Sequence, residues 1–149
     1  MPYFDTSVIV SYLIADAHSE AAEAELAALD AEDRIISEWT LAELASALGT
    51  MVRTERIDAL TGSDALRRFE RTVETAFVVL PVASPDFRDA RALLGDFGSG
   101  LRAGDALHLA VARRSRRTLA SFDTTQVAAA QAAGVSAELI GSRRPSRGP

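Results

Sequence analysis

The sequence contains no cysteine and no lysine, and each absence excludes a class of chemistry. Without cysteine, the chain has no disulfide, no thiolate zinc site and no cysteine nucleophile. Without lysine, the phosphate-binding loop of P-loop ATPases and GTPases is excluded, as is catalysis through a lysine Schiff base. All 16 basic residues are therefore arginine, a bias that we attribute, with the many alanines, to genome composition.

Long apolar runs are also missing. The most apolar stretches, residues 8–15 and 107–112, are shorter than the roughly 20 residues that span a bilayer. No basic residue precedes the first of them, as one would in a secretory signal. We therefore expect a cytoplasmic protein.

The net charge of −5 attracts no polyanion in general, but four acids bound to a cation would leave only −1 on the rest of the chain.

Predicted strands alternate with predicted helices along the 149 residues. This order favours a single α/β domain, with a mostly parallel central sheet flanked by helices. We expect the domain to cover residues 1–141 and residues 142–149, which contain arginine, serine and proline, to form a flexible tail. Strands are predicted at residues 2–5, 34–37, 77–80, 118–122 and, less regularly, 135–140. The main helices are predicted at residues 18–29, 39–52, 63–75, 84–94 and 124–133, with another starting at 104.

Four acidic residues stand where parallel sheets collect functional groups, beyond the carboxyl ends of the strands. Asp5 and Asp123 each follow a predicted strand directly, Glu43 lies early in the helix after the second strand, and Asp105 begins a helix. An acid among apolar neighbours is costly unless a positive group pairs with it. Because lysine is absent, a shared divalent cation is one such partner, and ligands that are all oxygen favour Mg²⁺ or Mn²⁺ over zinc.

Each acid also has a purely structural interpretation. Asp5 and Asp123 could cap the helices that follow them, and Asp105 could interact with its helix dipole. Glu43 could form an ion pair, for instance with Arg102. The spacing of the acids does not decide between these roles and a metal site.

Four short motifs carry a resemblance to a known family: Phe4-Asp5-Thr6-Ser7, the segments 37–44 and 104–112, and the segment 119–123. The sequence resembles the PIN-domain ribonucleases, and more narrowly the VapC toxins of bacterial toxin–antitoxin pairs. The resemblance implies a PIN-like three-layer sandwich, an endoribonuclease that depends on Mg²⁺ (with Mn²⁺ able to replace it), and a small antitoxin as partner. The family's site acids carry over onto Asp5, Glu43, Asp105 and Asp123, and Ser121 stands where the family often has threonine.

Within this interpretation, Asp5 and Asp105 are the expected direct metal ligands. Glu43 and Asp123 would complete the site directly or through water, and Thr6 or Ser7 would orient Asp5. We expect RNA to be the substrate. We also expect the protein to form a homodimer. Two other functions remain open: a different metal-dependent phosphohydrolase with Asp5 as nucleophile, and a catalytically inactive PIN module that only binds.

Several other residues have a structural and a functional interpretation. We expect His108, three residues after Asp105, to be a packed histidine rather than a ligand or general base. Tyr3 and Trp39 are expected to pack in the core rather than stack on bases. The arginine run at residues 113–117 is expected to be a solvated helix end, with phosphate binding as the alternative.

Overall fold

A five-stranded sheet forms the centre of the protein in the computed structural model, which describes residues 1–141. The strands lie in the order β3-β2-β1-β4-β5, and every neighbouring pair is parallel. The predicted α/β class is confirmed, and the sheet is parallel throughout. In chain order the strands are β1 Pro2–Phe4, β2 Ile35–Ser37, β3 Val78–Leu80, β4 Thr118–Ser121 and β5 Ala137–Leu139.

Seven α-helices connect and cover the strands in the described part of the chain. None of them is long and apolar enough to cross a membrane. The predicted tail at residues 142–149 lies outside the described residues. The helices are α1 Thr6–Leu13, α2 Ser19–Ala27, α3 Glu38–Arg53, α4 Ala59–Ala76, α5 Ser84–Leu93, α6 Ala103–Ser115 and α7 Thr124–Ala132, with a short 3₁₀ turn at Ala31–Asp33.

Apolar side chains cover both faces of the sheet, as expected when parallel strands are buried between two layers of helices. Phe4 and Ile36 point to one face, where they join a core built with α1, α2, α3 and α4. Their neighbours Tyr3 and Ile35 point to the other face and pack with α6 and α7. The molecule is therefore a three-layer sandwich, as predicted.

Aspartates start three of the helices, because an aspartate side chain accepts hydrogen bonds from the unpaired N–H groups of a first turn. Asp5 caps the start of α1, Asp58 that of α4 and Asp123 that of α7. The cap at Asp58 also corrects one boundary: α4 starts at Ala59, four residues before the predicted start. Gly62, just before the predicted start, lies within α4, and a Cβ there would meet Val52 of α3 at 2.9 Å.

Candidate functional site at the carboxyl edge of the sheet

Asp5 lies at the carboxyl end of the central strand β1 and is only 4% exposed. Ser7 Oγ donates to its Oδ1 at 2.6 Å, and Ser121 Oγ donates to its Oδ2 at 2.6 Å. Burial raises the pKa of Asp5 above its ordinary range, while His108 and these two hydroxyl donors act against that rise. The carboxylate is therefore held in one orientation by hydroxyl groups from two elements.

Asp123 lies at the carboxyl end of β4, the strand beside β1. Its Oδ1 accepts hydrogen bonds from the N–H groups of Thr125 at 2.8 Å and Gln126 at 3.0 Å, and so caps α7. Ser121 links this acid to Asp5, since Ser121 Oγ accepts from the Asp123 N–H at 2.9 Å and donates to Asp5.

Asp105 lies in the first turn of α6, where its Oδ2 accepts a hydrogen bond from the Arg102 N–H at 2.9 Å. Burial raises the pKa of Asp105, and the negative charges of Asp123 and Glu43 raise it further. Asp123 at the start of α7 and Glu43 on α3 therefore both repel Asp105 at the same edge of the sheet.

Glu43 projects from α3 and makes its contacts through Oε2. His108 Nε2 lies 2.8 Å from this oxygen, and the Thr6 hydroxyl donates to the same atom. Burial raises the pKa of Glu43, but the hydrogen bond and electrostatic interaction with His108, together with the Thr6 hydrogen bond, outweigh it and lower the pKa. The side-chain partner of Glu43 is thus His108, not Arg102.

The other oxygen of Glu43, Oε1, lies against Gly104. A Cβ at Gly104 would collide with Oε1 and approach Trp39 Cζ2 at 3.4 Å. Gly104 directly precedes Asp105, so the small residue lets α3 bring Glu43 to the start of α6.

Three of the four acids use one carboxylate oxygen for hydrogen bonds that support the fold, and their other oxygen accepts none in the described residues. Within residues 1–141, no hydrogen bond involves Asp105 Oδ1, Asp123 Oδ2 or Glu43 Oε1. The capping role and a ligand role are therefore compatible, because they use different oxygens of one side chain.

The donor set fits a hard divalent cation in its chemistry. It consists of carboxylate oxygens with free lone pairs, and a cation would relieve the repulsion that raises the pKa of Asp105. As the side chains stand, no group of three or more Asp, Glu or His in the described residues is arranged to hold a metal ion. The carboxylates would have to approach one another to share one.

The sequence did not reveal the polar contacts of Tyr3, Ser37 and His108. Tyr3 and His108 are buried, as predicted for packed residues. Yet the Tyr3 hydroxyl lies 2.7 Å from both Ser37 Oγ and His108 Nδ1. Thr6 contacts Glu43 and leaves Ser7 to orient Asp5.

The arginine run after the third motif serves the fold. Arg113 pairs with Asp89 at 2.7 Å and Arg114 with Asp86 at 2.6 Å. Both lie in the last turn of α6, at the end opposite Asp105. The structure therefore favours the interpretation as a helix end over phosphate binding at the acids.

Comparisons with known proteins agree with this architecture. The profile of the PIN domain family matches residues 3–132, so the chain belongs to the PIN domain family, and the predicted resemblance is confirmed. A search of curated proteins found no match.

Several solved structures share the fold. FitAcB from Neisseria gonorrhoeae is 25% identical with a TM-score of 0.70, and the match covers 92% of this chain and 96% of that one. VapC20 from Mycobacterium tuberculosis, a sarcin–ricin-loop-cleaving toxin, is 21% identical with a TM-score of 0.69, covering 97% and 100%. VapBC2 from Rickettsia felis, solved with a DNA fragment from its promoter, is 18% identical with a TM-score of 0.65, covering 94% and 99%.

Proposed function

We propose that this protein is a metal-dependent endoribonuclease whose active site is the acidic cluster of Asp5, Glu43, Asp105 and Asp123. The observation that carries the proposal is that single carboxylates use one oxygen for a hydrogen bond within the fold and leave the other for a ligand. Within the described residues, Asp105, Asp123 and Glu43 each keep one oxygen without a hydrogen bond at the carboxyl edge of the sheet. The RNA-cleaving activity stated for VapC20, which has the same fold, supports RNA as the substrate.

Mg²⁺ is the proposed cation, and Mn²⁺ should replace it because both prefer oxygen ligands. Asp5 and Asp105 would hold the ion directly, and Glu43 and Asp123 would do so directly or through water. When bound, the ion would lower the pKa of a water molecule and neutralise charge on the scissile phosphate.

The chain's own groups supply the rest of the mechanism. Ser7 and Ser121 hold the Asp5 carboxylate in one orientation, which limits its movement when the ion and the substrate bind. Glu43, whose pKa is lowered, stays ionised at neutral pH and is suited to orient the attacking water through Oε1. Because Asp5 is buried and both its oxygens accept hydrogen bonds, it is poorly placed to attack a phosphate itself.

The test is RNA cleavage by the purified protein, free of any partner, with Mg²⁺ or Mn²⁺ and with excess chelator. We expect cleavage with the ions and none with the chelator, and we expect Asp5→Asn to abolish cleavage while the fold is retained. Cleavage that survives excess chelator, or that persists in folded Asp5→Asn, would contradict the proposed mechanism.

We further propose that the protein is the toxin of a cytoplasmic toxin–antitoxin pair, inhibited by a small antitoxin. The solved complexes FitAB and VapBC2, each bound to a DNA fragment, share its fold and support this role.

A homodimer is the proposed assembly. An open apolar pocket beside the site supports it, lined by Trp39, Leu94, Leu107 and the 58% exposed Phe87.

A further inference from the structure

A chain of polar side chains runs through the core and ends on Glu43. The Tyr3 hydroxyl lies 2.7 Å from Ser37 Oγ and 2.7 Å from His108 Nδ1. On the other side of the imidazole ring, His108 Nε2 lies 2.8 Å from Glu43 Oε2. Ser37, Tyr3 and His108 are each no more than 1% exposed, so water does not take the place of any of these partners.

The chemistry of the partners sets the direction of these hydrogen bonds. Glu43 Oε2 can only accept, so His108 Nε2 must carry the proton that it donates. Burial raises the pKa of Tyr3, so its hydroxyl keeps its proton and can donate to His108 Nδ1. That bond fixes both the tautomer and the plane of the ring.

All the donors converge on one oxygen of Glu43. Oε2 accepts from His108 and from the Thr6 hydroxyl, whereas Oε1 accepts from no residue in the described chain and lies against Gly104. A histidine buried only for packing would need a hydrogen-bond partner. That partner would not have to be the carboxylate of Glu43, which faces the other acids.

We propose that His108 is a positioning residue, which holds Glu43 by Oε2 so that Oε1 stays directed toward the start of α6. Tyr3 acts through His108 by fixing the ring. This inference rests on the proposed function, because it gives His108 a role in that site, and it replaces the expectation that His108 only packs.

Two amide substitutions at His108 separate positioning from packing. Glutamine has as many bonds between Cβ and its amide nitrogen as histidine has between Cβ and Nε2, so His108→Gln can still donate to Glu43. Asparagine is one bond shorter and matches Nδ1, so His108→Asn can contact Tyr3 but cannot reach Glu43. Both variants place an uncharged amide in the same buried site.

The experiment measures RNA cleavage rates, Mn²⁺ binding by calorimetry and unfolding in urea for both variants. We expect His108→Asn to lower kcat about 10- to 100-fold and to weaken Mn²⁺ binding by a similar factor, the usual loss when a residue supporting a metal ligand is removed. The KM for RNA should hardly change. His108→Gln should retain most of the rate and of the affinity.

A second comparison tests whether His108 acts through Glu43. In a Glu43→Gln background, His108→Asn should lower the rate no further. Tyr3→Phe, which keeps the ring and removes only the hydroxyl, should lower kcat by a smaller factor, and serves as the variant if His108→Asn does not fold.

The contradicting results are distinct from failure of the proposed function. If wild type cleaves RNA and binds Mn²⁺, but His108→Asn and His108→Gln behave alike, the positioning role is wrong and the nuclease stands. A further loss from His108→Asn in the Glu43→Gln background leads to the same conclusion. A wild type that neither cleaves RNA nor binds Mn²⁺ overturns both proposals.

Discussion

At the scale of single residues, the carboxylate of Asp105 has two opposite effects: it caps a helix, and it is repelled by neighbouring acids. Asp105 accepts the Arg102 N–H with Oδ2, and its carboxylate is repelled by the charges of Asp123 and Glu43. The first contact stabilises the start of α6 and the second destabilises the metal-free fold. A substitution that keeps the acceptor and removes the charge therefore separates the two contributions.

Asp105→Asn is such a substitution, and we expect the metal-free variant to be at least as stable as wild type. Its amide oxygen can still accept from Arg102, while the repulsion is lost. The gain should be about 1 kcal/mol or less, because solvent screens part of the repulsion. Thermal melting with chelator measures it, and Mn²⁺ should then raise the melting temperature of wild type much more than that of the variant.

The pH dependence of this difference has a definite sign. The folded-state pKa of Asp105 is raised, so ionising it costs stability, and that cost disappears as the pH falls below the raised pKa. The advantage of Asp105→Asn over wild type should therefore shrink as the pH is lowered from 7. Asp58→Asn is the matched control, since Asp58 caps α4 through the Thr61 N–H and its pKa is lowered by hydrogen bonds, with no repulsion from another acid among the causes. If Asp105→Asn loses stability and Mn²⁺ raises both melting temperatures equally, Asp105 is only a structural cap.

At the scale of secondary structure elements, the site depends on how closely α3 and α6 approach. Much of this level could be predicted from sequence, because strand–helix alternation and aspartate caps are local patterns. The start of α4 could not be predicted, because glycine disfavours a helix locally. At Gly62 the close approach of Val52 from α3 leaves no room for a Cβ, and that approach is set by the packing of two helices. Gly104 presents the same difficulty: nothing local indicates that the carboxylate of Glu43 lies beside it.

Gly104→Ala tests that approach. Alanine favours helix over glycine by up to about 1 kcal/mol, so α6 should remain. The added methyl group must displace the Glu43 carboxylate or Trp39, so RNA cleavage should fall sharply in a folded protein. Gly49→Ala in α3 is the control, because its methyl group would meet only the end of the Arg53 side chain, at 3.1 Å, which can move. It should be neutral or stabilising and should leave cleavage unchanged, and equal effects of the two substitutions would contradict our account of Gly104.

At the scale of the whole molecule, the parallel sheet brings the four acids to one edge from distant parts of the chain. The sequence could predict this edge, because β1 and β4 were each expected to end in an acid. It could not predict which side chains touch, since His108 is 65 residues from Glu43 and 105 from Tyr3. Such contacts are set by the packing of α3, α6 and β1 together, so His108 was expected only to pack.

The proposed toxin role predicts an effect on cell growth. Expression of the protein alone should slow growth, and co-expression of a small protein encoded next to it should restore growth. Asp105→Asn should be harmless at the same expression level, because it removes a proposed metal ligand and keeps the fold. If Asp105→Asn is as toxic as wild type, toxicity does not come from the acidic cluster.

Locating Mn²⁺ by anomalous diffraction, in crystals of the protein grown with MnCl₂, tests the central claim most directly. We predict a peak at the carboxyl edge of β1 and β4, with Asp5 and Asp105 as direct ligands, and Glu43 and Asp123 bound directly or through water. Crystals of Asp105→Asn should show a weaker peak or none. A protein that cleaves RNA only with Mn²⁺, but whose crystals hold the ion elsewhere, would contradict the assignment of the site to these four acids.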